Sequence, residues 1–418
     1  MCGAVLGVGA SSCSRCDGGM ERVRSYENWF VFVIASVLLL WFAGFAIRSL
    51  LDAGGMPYRV LGSFWASGWA AAHHLDPYGF YPLTWHFHLY GGDRGPLVYD
   101  VNLNPPCMLP LFQLFGRLGL RQMVAGWTIF SVLAMVAGAA LVLWGLRGRM
   151  QKRQVLWLLL SQAGLMTLWF GQNYSALFLL TCVVWYLLRV GRMDAAAACI
   201  GVMVAMKPNL GFWPVMLWIA GYRRPAILSG ATAAALSVLP VVLYGPSIYG
   251  QWLHAHSLVS HYLFAADVSL AGFCTRIGSR AAGEVLAVVV SLALLVFVYR
   301  RRPSQIDVSG IAICAGLLCS PLAWMEYTLI VVPLFAGSRK WGRLEMWAVV
   351  LLYFPEVLTG FGVGHGRLLA AVASLPYLVG ICLILASFLR SSLRVARSGS
   401  RQRDMGEATA VAPSIRAL

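Results

Sequence analysis

The sequence predicts an all-α integral membrane protein, a polytopic helical bundle of about ten to twelve transmembrane segments with interfacial helices on its non-cytoplasmic face. Three observations predict it. Of 418 residues, 59% are hydrophobic and 11% charged, with a mean hydropathy of +0.72; a soluble domain keeps roughly 25% charged residues to solvate its surface. The apolar residues form blocks rather than stripes, and 29–51, 124–146 and 368–389 each approach or exceed the about 20 residues that cross a bilayer core. Short basic clusters punctuate those blocks.

The clusters give the topology. They comprise Arg147, Arg149, Lys152 and Arg153; Arg189 and Arg192; Arg223 and Arg224; Arg300, Arg301 and Arg302; and Arg339, Lys340 and Arg343. Both ends of the chain are basic as well, at Arg22 and Arg24 and again at Arg390, Arg394, Arg397, Arg401 and Arg403. Short loops rich in Lys and Arg stay in the cytoplasm. The net charge of +16 therefore reports orientation and implies no nucleic-acid partner; the basic tail faces anionic lipid heads.

In chain order, a cytoplasmic segment 1–28 leads into one transmembrane domain, 29–390, and a basic cytoplasmic tail, 391–418, expected to be disordered. Segment 29–51 crosses outward, residues 52–122 form a long outer loop, and 123–146 returns. Segments 154–170 and 174–190 follow, joined at Gly171-Gln172-Asn173; 194–206 and 208–222 flank Lys207-Pro208-Asn209. Segment 226–244 reaches a second long outer loop, 245–282, and 283–299 comes back. Segments 308–320 and 326–336 flank Ser320-Pro321-Leu322-Ala323-Trp324, and 344–358 and 368–390 complete the bundle. Thirteen helical residues reach only about 20 Å. Short segments broken at Pro therefore predict discontinuous helices that line a cavity.

This topology places all eight histidines outside, with Asp52, Asp76, Asp93, Asp100, Asp267 and Glu326. Loops of that length in a compact domain point to function. Within the first, residues 58–72 set Tyr58, Leu61, Phe64, Trp65 and Trp69 on one face and Arg59, Ser63 and Ser67 toward the other, the pattern of a helix lying in the headgroup region. Over 102–120, Asn104 is the expected cap of a helix whose first turn holds Pro105 and Pro106.

The ten cysteines make no metal or disulfide framework. Cys182, Cys199, Cys314, Cys319 and Cys382 sit in apolar segments as packing residues, and Cys13 and Cys16 form a lone CxxC. Cys107 and Cys274 alone fall outside, where a disulfide can join them. The start has no basic region ahead of its apolar residues, so no cleaved signal peptide is expected. Met20, followed by Glu21, Arg22 and Arg24, reads as the more natural start, which makes residues 1–19 dispensable.

Several stretches together resemble glycosyltransferase family 87 (GT87), membrane enzymes of the GT-C fold that use polyprenyl-phosphate sugars. They are Phe64-Trp65-Ala66-Ser67-Gly68 with Asp76-Pro77-Tyr78; Asn102-Leu103-Asn104-Pro105-Pro106; Gly171-Gln172-Asn173; Lys207-Pro208; and Ser320-Pro321-Leu322-Ala323-Trp324 through Tyr327. Two departures stand out. Relatives often carry Asp just before the Phe-Trp pair, where this chain has Val60 and Leu61, and His where it has Tyr327.

The resemblance implies a GT-C-like bundle in a bacterial inner membrane with its active site on the periplasmic side. It implies an inverting transfer of a hexose, mannose first, from a polyprenyl-phosphate donor to a glycolipid, polysaccharide or protein acceptor. No cofactor and no metal are expected, because no DxD-type acidic pair occurs. Such a transfer needs a base for the acceptor hydroxyl and cations for the departing phosphate. Asp52 is the first choice of base and Asp100 the second. Lys207, His254, His256 and Arg276 are the candidate phosphate ligands. A lysine between apolar half-helices costs about 2.5–3.5 kcal/mol at the bilayer centre, and snorkelling to the interface is the structural alternative. Asp76, Tyr78, Asn102, Asn104, Gln172, Asn173, Trp324 and Glu326 are the candidate substrate-binding residues, Asp76 also suiting a turn before Pro77. The rival reading is a transporter or flippase for a lipid-linked or small polar solute, which shares broken helices and an intramembrane lysine.

Overall fold

The computed structural model describes residues 59–79, 85–88, 97–100, 102–146, 154, 157–158, 161–259, 267–338, 341–354 and 366–410. The expected first helix over 29–51, Asp52 and the start at Met20 lie outside the described residues. The elements are α1 (Arg59–Ala72), β1 (Trp85–His88), β2 (Leu97–Asp100), α2 (Leu109–Gly116), α3 (Leu120–Leu146), α4 (Gln162–Phe170), α5 (Tyr174–Arg189), α6 (Met193–Met206), α7 (Phe212–Ile219), α8 (Arg223–Tyr244), α9 (Ile248–Val259), α10 (Leu270–Arg276), α11 (Arg280–Arg301), α12 (Gln305–Leu318), α13 (Thr328–Ser338), α14 (Arg343–Leu352) and α15 (Arg367–Ala410).

Among the described residues four stretches are long and apolar enough to cross a membrane: Gln122–Leu146, Arg223–Tyr244, Arg280–Arg301 and Arg367–Arg394. They form the outer shell. Large apolar side chains stand exposed along them, such as Ile129 and Leu133, Val238 and Val242, Val285 and Val288, and Leu368 and Val372. Acyl chains are as apolar as these side chains, so lipid is the solvent such a surface fits. The shorter helices make the centre. Every residue of α12 from Asp307 to Leu318 is buried, and Phe178, Cys182 and Trp185 on α5 are fully enclosed. At 16 residues, α5 is only about 24 Å long. The molecule is an all-α polytopic membrane protein in which full-length helices surround broken ones.

The breaks follow local chemistry. Gly171 closes α4 in a left-handed conformation (φ 66°), which glycine adopts without steric cost. A Cβ there would lie 2.4 Å from Leu61 Cδ1. Pro208 offers no N–H, so the chain leaves α6 at Lys207 and restarts through a short 3-10 turn, Pro208–Gly211.

Several expectations need correction. The surface helix exists as α1, but it does not lie with one wet face, because Ser63 and Ser67 are as buried as Leu61 and Phe64. Two glycines cause this. A Cβ on Gly68 would sit 1.8 Å from the Phe112 carbonyl oxygen, and one on Gly116 would sit 2.3 Å from the Trp69 nitrogen. The backbones of α1 and α2 therefore touch, and Phe64 stacks on Phe112 with ring centroids 4.7 Å apart. Asn104 does not cap a helix with its side chain. Pro105 takes the cap position of a 3-10 turn, Pro106–Met108, and α2 follows. The first long loop also carries an antiparallel ribbon, β1 with β2, pairing Trp85 with Asp100 and His88 with Leu97. Cys107 and Cys274 are free thiols, and Cys107 donates to the Ala205 carbonyl. Among the described residues α15 continues to Ala410.

Candidate functional site

Lys207 sets the centre. The chain is extended there (φ −145°, ψ 92°), which directs the side chain inward instead of along the next helix. It does not snorkel: the residue is 8% exposed. Nζ donates to Asn104 Oδ1 at 3.1 Å and to the Tyr327 hydroxyl at 3.4 Å. It lies 4.9 Å from the Tyr174 ring centroid and 5.1 Å from that of Tyr327. Two tilted rings, themselves 4.6 Å apart, thus cradle the ammonium, and a desolvated cation–π contact contributes about 2 kcal/mol.

Asn104 is held in turn by its neighbours. Its backbone N–H and its Nδ2 both donate to Asn102 Oδ1, at 2.9 and 3.0 Å. Asn102 Nδ2 donates to Ser67 Oγ at 3.0 Å, and Ser67 donates to the Pro77 carbonyl. Asn173 Nδ2 shares the Asn104 Oδ1 acceptor at 3.0 Å. Above the segment, the Leu103 carbonyl receives Trp252 Nε1 at 3.1 Å and meets His256 Nε2 at 3.0 Å. A carbonyl can only accept, so that imidazole nitrogen carries the proton. Burial pushes the His256 pKa below its ordinary value; the Leu103 bond opposes the shift and the Lys207 charge adds to it.

Glu326 completes the cluster from the 3-10 turn Met325–Tyr327. It is 4% exposed and acts electrostatically on Lys207, without closing into an ion pair. Its Oε2 is buried and no group donates to it, and the same is true of Asn173 Oδ1. The turn is anchored by Asp267, whose Oδ1 accepts from the backbone N–H of Ala323 and of Ser269, each at 3.0 Å. Val268 N–H donates to the Ala323 carbonyl at 2.7 Å, and Asp267 bridges Trp324 in antiparallel fashion. Burial raises the Asp267 carboxyl above its usual range despite the donors around it.

The predicted residues divide accordingly. Asn102, Asn104, Asn173, Lys207 and Glu326 come together. Tyr78 stands behind them, donating to the Asn104 carbonyl at 2.8 Å. Asp76 orders the Asp-Pro-Tyr turn by accepting from the Tyr78 N–H at 2.9 Å. Gln172 closes α4 through its N–H to Thr167. Arg276 is buried, and its Nη2 donates to the Asp267 carbonyl at 2.7 Å; burial brings its guanidinium down to about 10. His254 and His256 do not share a helix face. Both lie on α9, where residues two apart face different ways, so His254 is exposed while His256 turns inward. The Asp100 backbone belongs to β2. Asp52 lies outside the described residues. Sequence reasoning missed Tyr174 and Trp252 and placed Asp267 only among the outer acids; Trp252 stands four residues before His256, the spacing that shares a helix face.

Comparison with known proteins matches residues 102–321 to the model of Glycosyltransferase family 87. Over 334 residues the chain is 24% identical to the polyprenol-phosphate-mannose-dependent alpha-(1-2)-phosphatidylinositol mannoside mannosyltransferase of Mycobacterium tuberculosis, covering 73% of this chain and 76% of that protein. No solved structure matches the chain.

Proposed function

The chain belongs to glycosyltransferase family 87, and we propose that it moves a mannose-like hexose from a polyprenyl-phosphate donor to an acceptor hydroxyl on the periplasmic face of a bacterial inner membrane. That it is a multi-pass membrane glycosyltransferase follows from its family and its apolar helices. The donor is proposed from the mannosyltransferase relative, whose name specifies polyprenol-phosphate mannose. The observation that carries the reading is Lys207, an enclosed cation held by Asn104 and Tyr327; Lys207 and Asn104 lie within the stretch that matches the family.

In this reading the acceptor oxygen attacks the anomeric carbon on the face opposite the phosphate as its proton passes to a carboxylate base. The bond from that carbon to the phosphate oxygen breaks, and the electron pair leaves with the polyprenyl phosphate. Direct displacement inverts the anomeric centre. Lys207 stabilises the charge that builds on the leaving phosphate, where a preorganised cation in a dry site acts most strongly. Asp52 is the proposed base, with Asp100 second, by resemblance. The unfilled acceptors Glu326 Oε2 and Asn173 Oδ1 suit the hydroxyls of a sugar, which bring the missing donors. Asn102 and Tyr78 hold the segment that presents Asn104, Asp76 orders the turn before Tyr78, and Trp324 offers a ring for the sugar face. The acceptor is a glycolipid, polysaccharide or protein.

Donor choice tests the reading. Purified protein in lipid nanodiscs is given polyprenyl-phosphate mannose or a nucleotide-linked mannose, and release of free polyprenyl phosphate or nucleotide is followed. Turnover of the lipid donor alone supports the proposal; turnover of the nucleotide sugar alone overturns it.

A further inference from the structure

The Leu103 carbonyl lies between the two asparagines of the site and takes hydrogen bonds from two side chains far along the chain, Trp252 Nε1 at separation 149 and His256 Nε2 at separation 153. We propose that Trp252 and His256 form a two-donor clamp that positions Asn104, and through Asn104 the Lys207 ammonium, for the transfer reaction. The activity arm of this inference rests on the function proposed above.

The geometry supports a shared task. The two residues stand one turn apart on α9, with ring centroids 4.9 Å apart and planes at 83°, so both N–H groups converge on one oxygen. A carbonyl has two lone pairs and can satisfy both donors. One residue later, Asn104 Oδ1 receives Lys207 Nζ at 3.1 Å and Asn173 Nδ2 at 3.0 Å. Any sliding of the segment at Leu103 therefore moves the acceptor that fixes the lysine. The clamp is separable from the docking of α9 itself. Tyr249 donates to the Ser237 carbonyl at 2.7 Å, Tyr244 donates to Gln113 Oε1 at 2.8 Å just before α9, and Ile248 and Ala255 are buried. Both clamp residues are positioning residues, since what they touch is the backbone beside the site.

Two donors on one acceptor give a characteristic response. Loss of either leaves the carbonyl satisfied; loss of both leaves a part-buried oxygen without either donor and its segment loose. The experiment compares Trp252→Phe, His256→Leu, the double variant, and Trp252→Phe combined with His256→Gln, whose amide restores one donor. Two quantities are read: kcat and KM with polyprenyl-phosphate mannose, and hydrogen exchange over residues 102–108 by mass spectrometry. Each single variant is expected to keep transfer within about threefold, and the double to lose on the order of 30-fold in kcat while still accumulating as folded protein. Exchange should accelerate only in the double, and the Gln combination should restore both readouts. Single losses that simply multiply to the double, or unchanged exchange in the double, would overturn the clamp. If wild type transfers no sugar, the proposed function fails separately, and faster exchange in the double is still required for the clamp to survive.

Discussion

The Lys207 ammonium donates to Asn104 Oδ1 at 3.1 Å across 103 residues of sequence. That bond joins the first long connecting segment to the break after α6. It also defines what Asn104 must supply, an oxygen that two buried donors share. Replacing Asn104 by Ala strands both donors, at a cost of roughly 2–5 kcal/mol. Asn104→Asp keeps the acceptor and adds a charge beside Lys207, which offsets loss of the bond from Nδ2 to Asn102 Oδ1. Thermal unfolding in detergent should show a marked drop for the Ala variant and a much smaller one for Asp; equal drops would mean that the shared oxygen is not what holds Lys207.

The crossing of α1 and α2 gives a steric prediction. With 1.8 Å between an added Cβ and the Phe112 oxygen, Gly68→Ala forces the two helices apart and should abolish accumulation of folded protein. Gly126 on α3 has nothing within 4 Å of such a Cβ. Gly126→Ala should be neutral or stabilising by about 0.5–1 kcal/mol. Expression and melting temperature of the two variants check the contrast.

Much of this architecture was readable beforehand, and the limits were physical. The apolar blocks and arginine clusters gave α3 to α8 and α11 to α15 because length and charge are local properties, whereas α9 and α10 lie in the stretch read only as the second long loop. Gly171, Pro208 and Pro321 marked breaks for the same reason. The partners of Lys207 were not readable, since Asn104 and Tyr327 meet it only through tertiary folding. The α1–α2 contact hides in glycines whose role depends on the facing helix. The β1–β2 ribbon passed unnoticed although Leu97, Val98 and Tyr99 favour strands. Asp267 was counted among the acids of its loop, but its latch on Ala323 depends on a segment 56 residues away.

His256 makes stability depend on pH in a defined direction. Its folded-state pKa lies below the ordinary value, chiefly through burial. The unfolded chain therefore binds the proton more readily, and stability falls as pH drops through the ordinary imidazole range toward the folded value. Wild type should lose more melting temperature between pH 7 and pH 5 than His256→Gln, which has no imidazole. A parallel loss in both proteins would show that His256 is not the titrating group.

Asp267 separates charge from hydrogen bonding. Its Oδ1 serves two backbone N–H groups, a task an amide oxygen also performs. Asp267→Asn should therefore stay within about 1 kcal/mol of wild type, while Asp267→Ala loses roughly 2–5 kcal/mol by leaving both N–H groups unpaired. Chemical denaturation of the two variants in detergent measures the difference.

The most direct test of the account is transfer of radiolabelled mannose from polyprenyl phosphate in membranes carrying wild type, Asp52→Asn or Lys207→Met at matched expression. Labelled glycoside from wild type, with at least about a hundredfold loss on removing the Lys207 charge and a comparable loss in Asp52→Asn, is the predicted result. Full transfer by Lys207→Met would contradict the account by removing the buried cation from the chemistry.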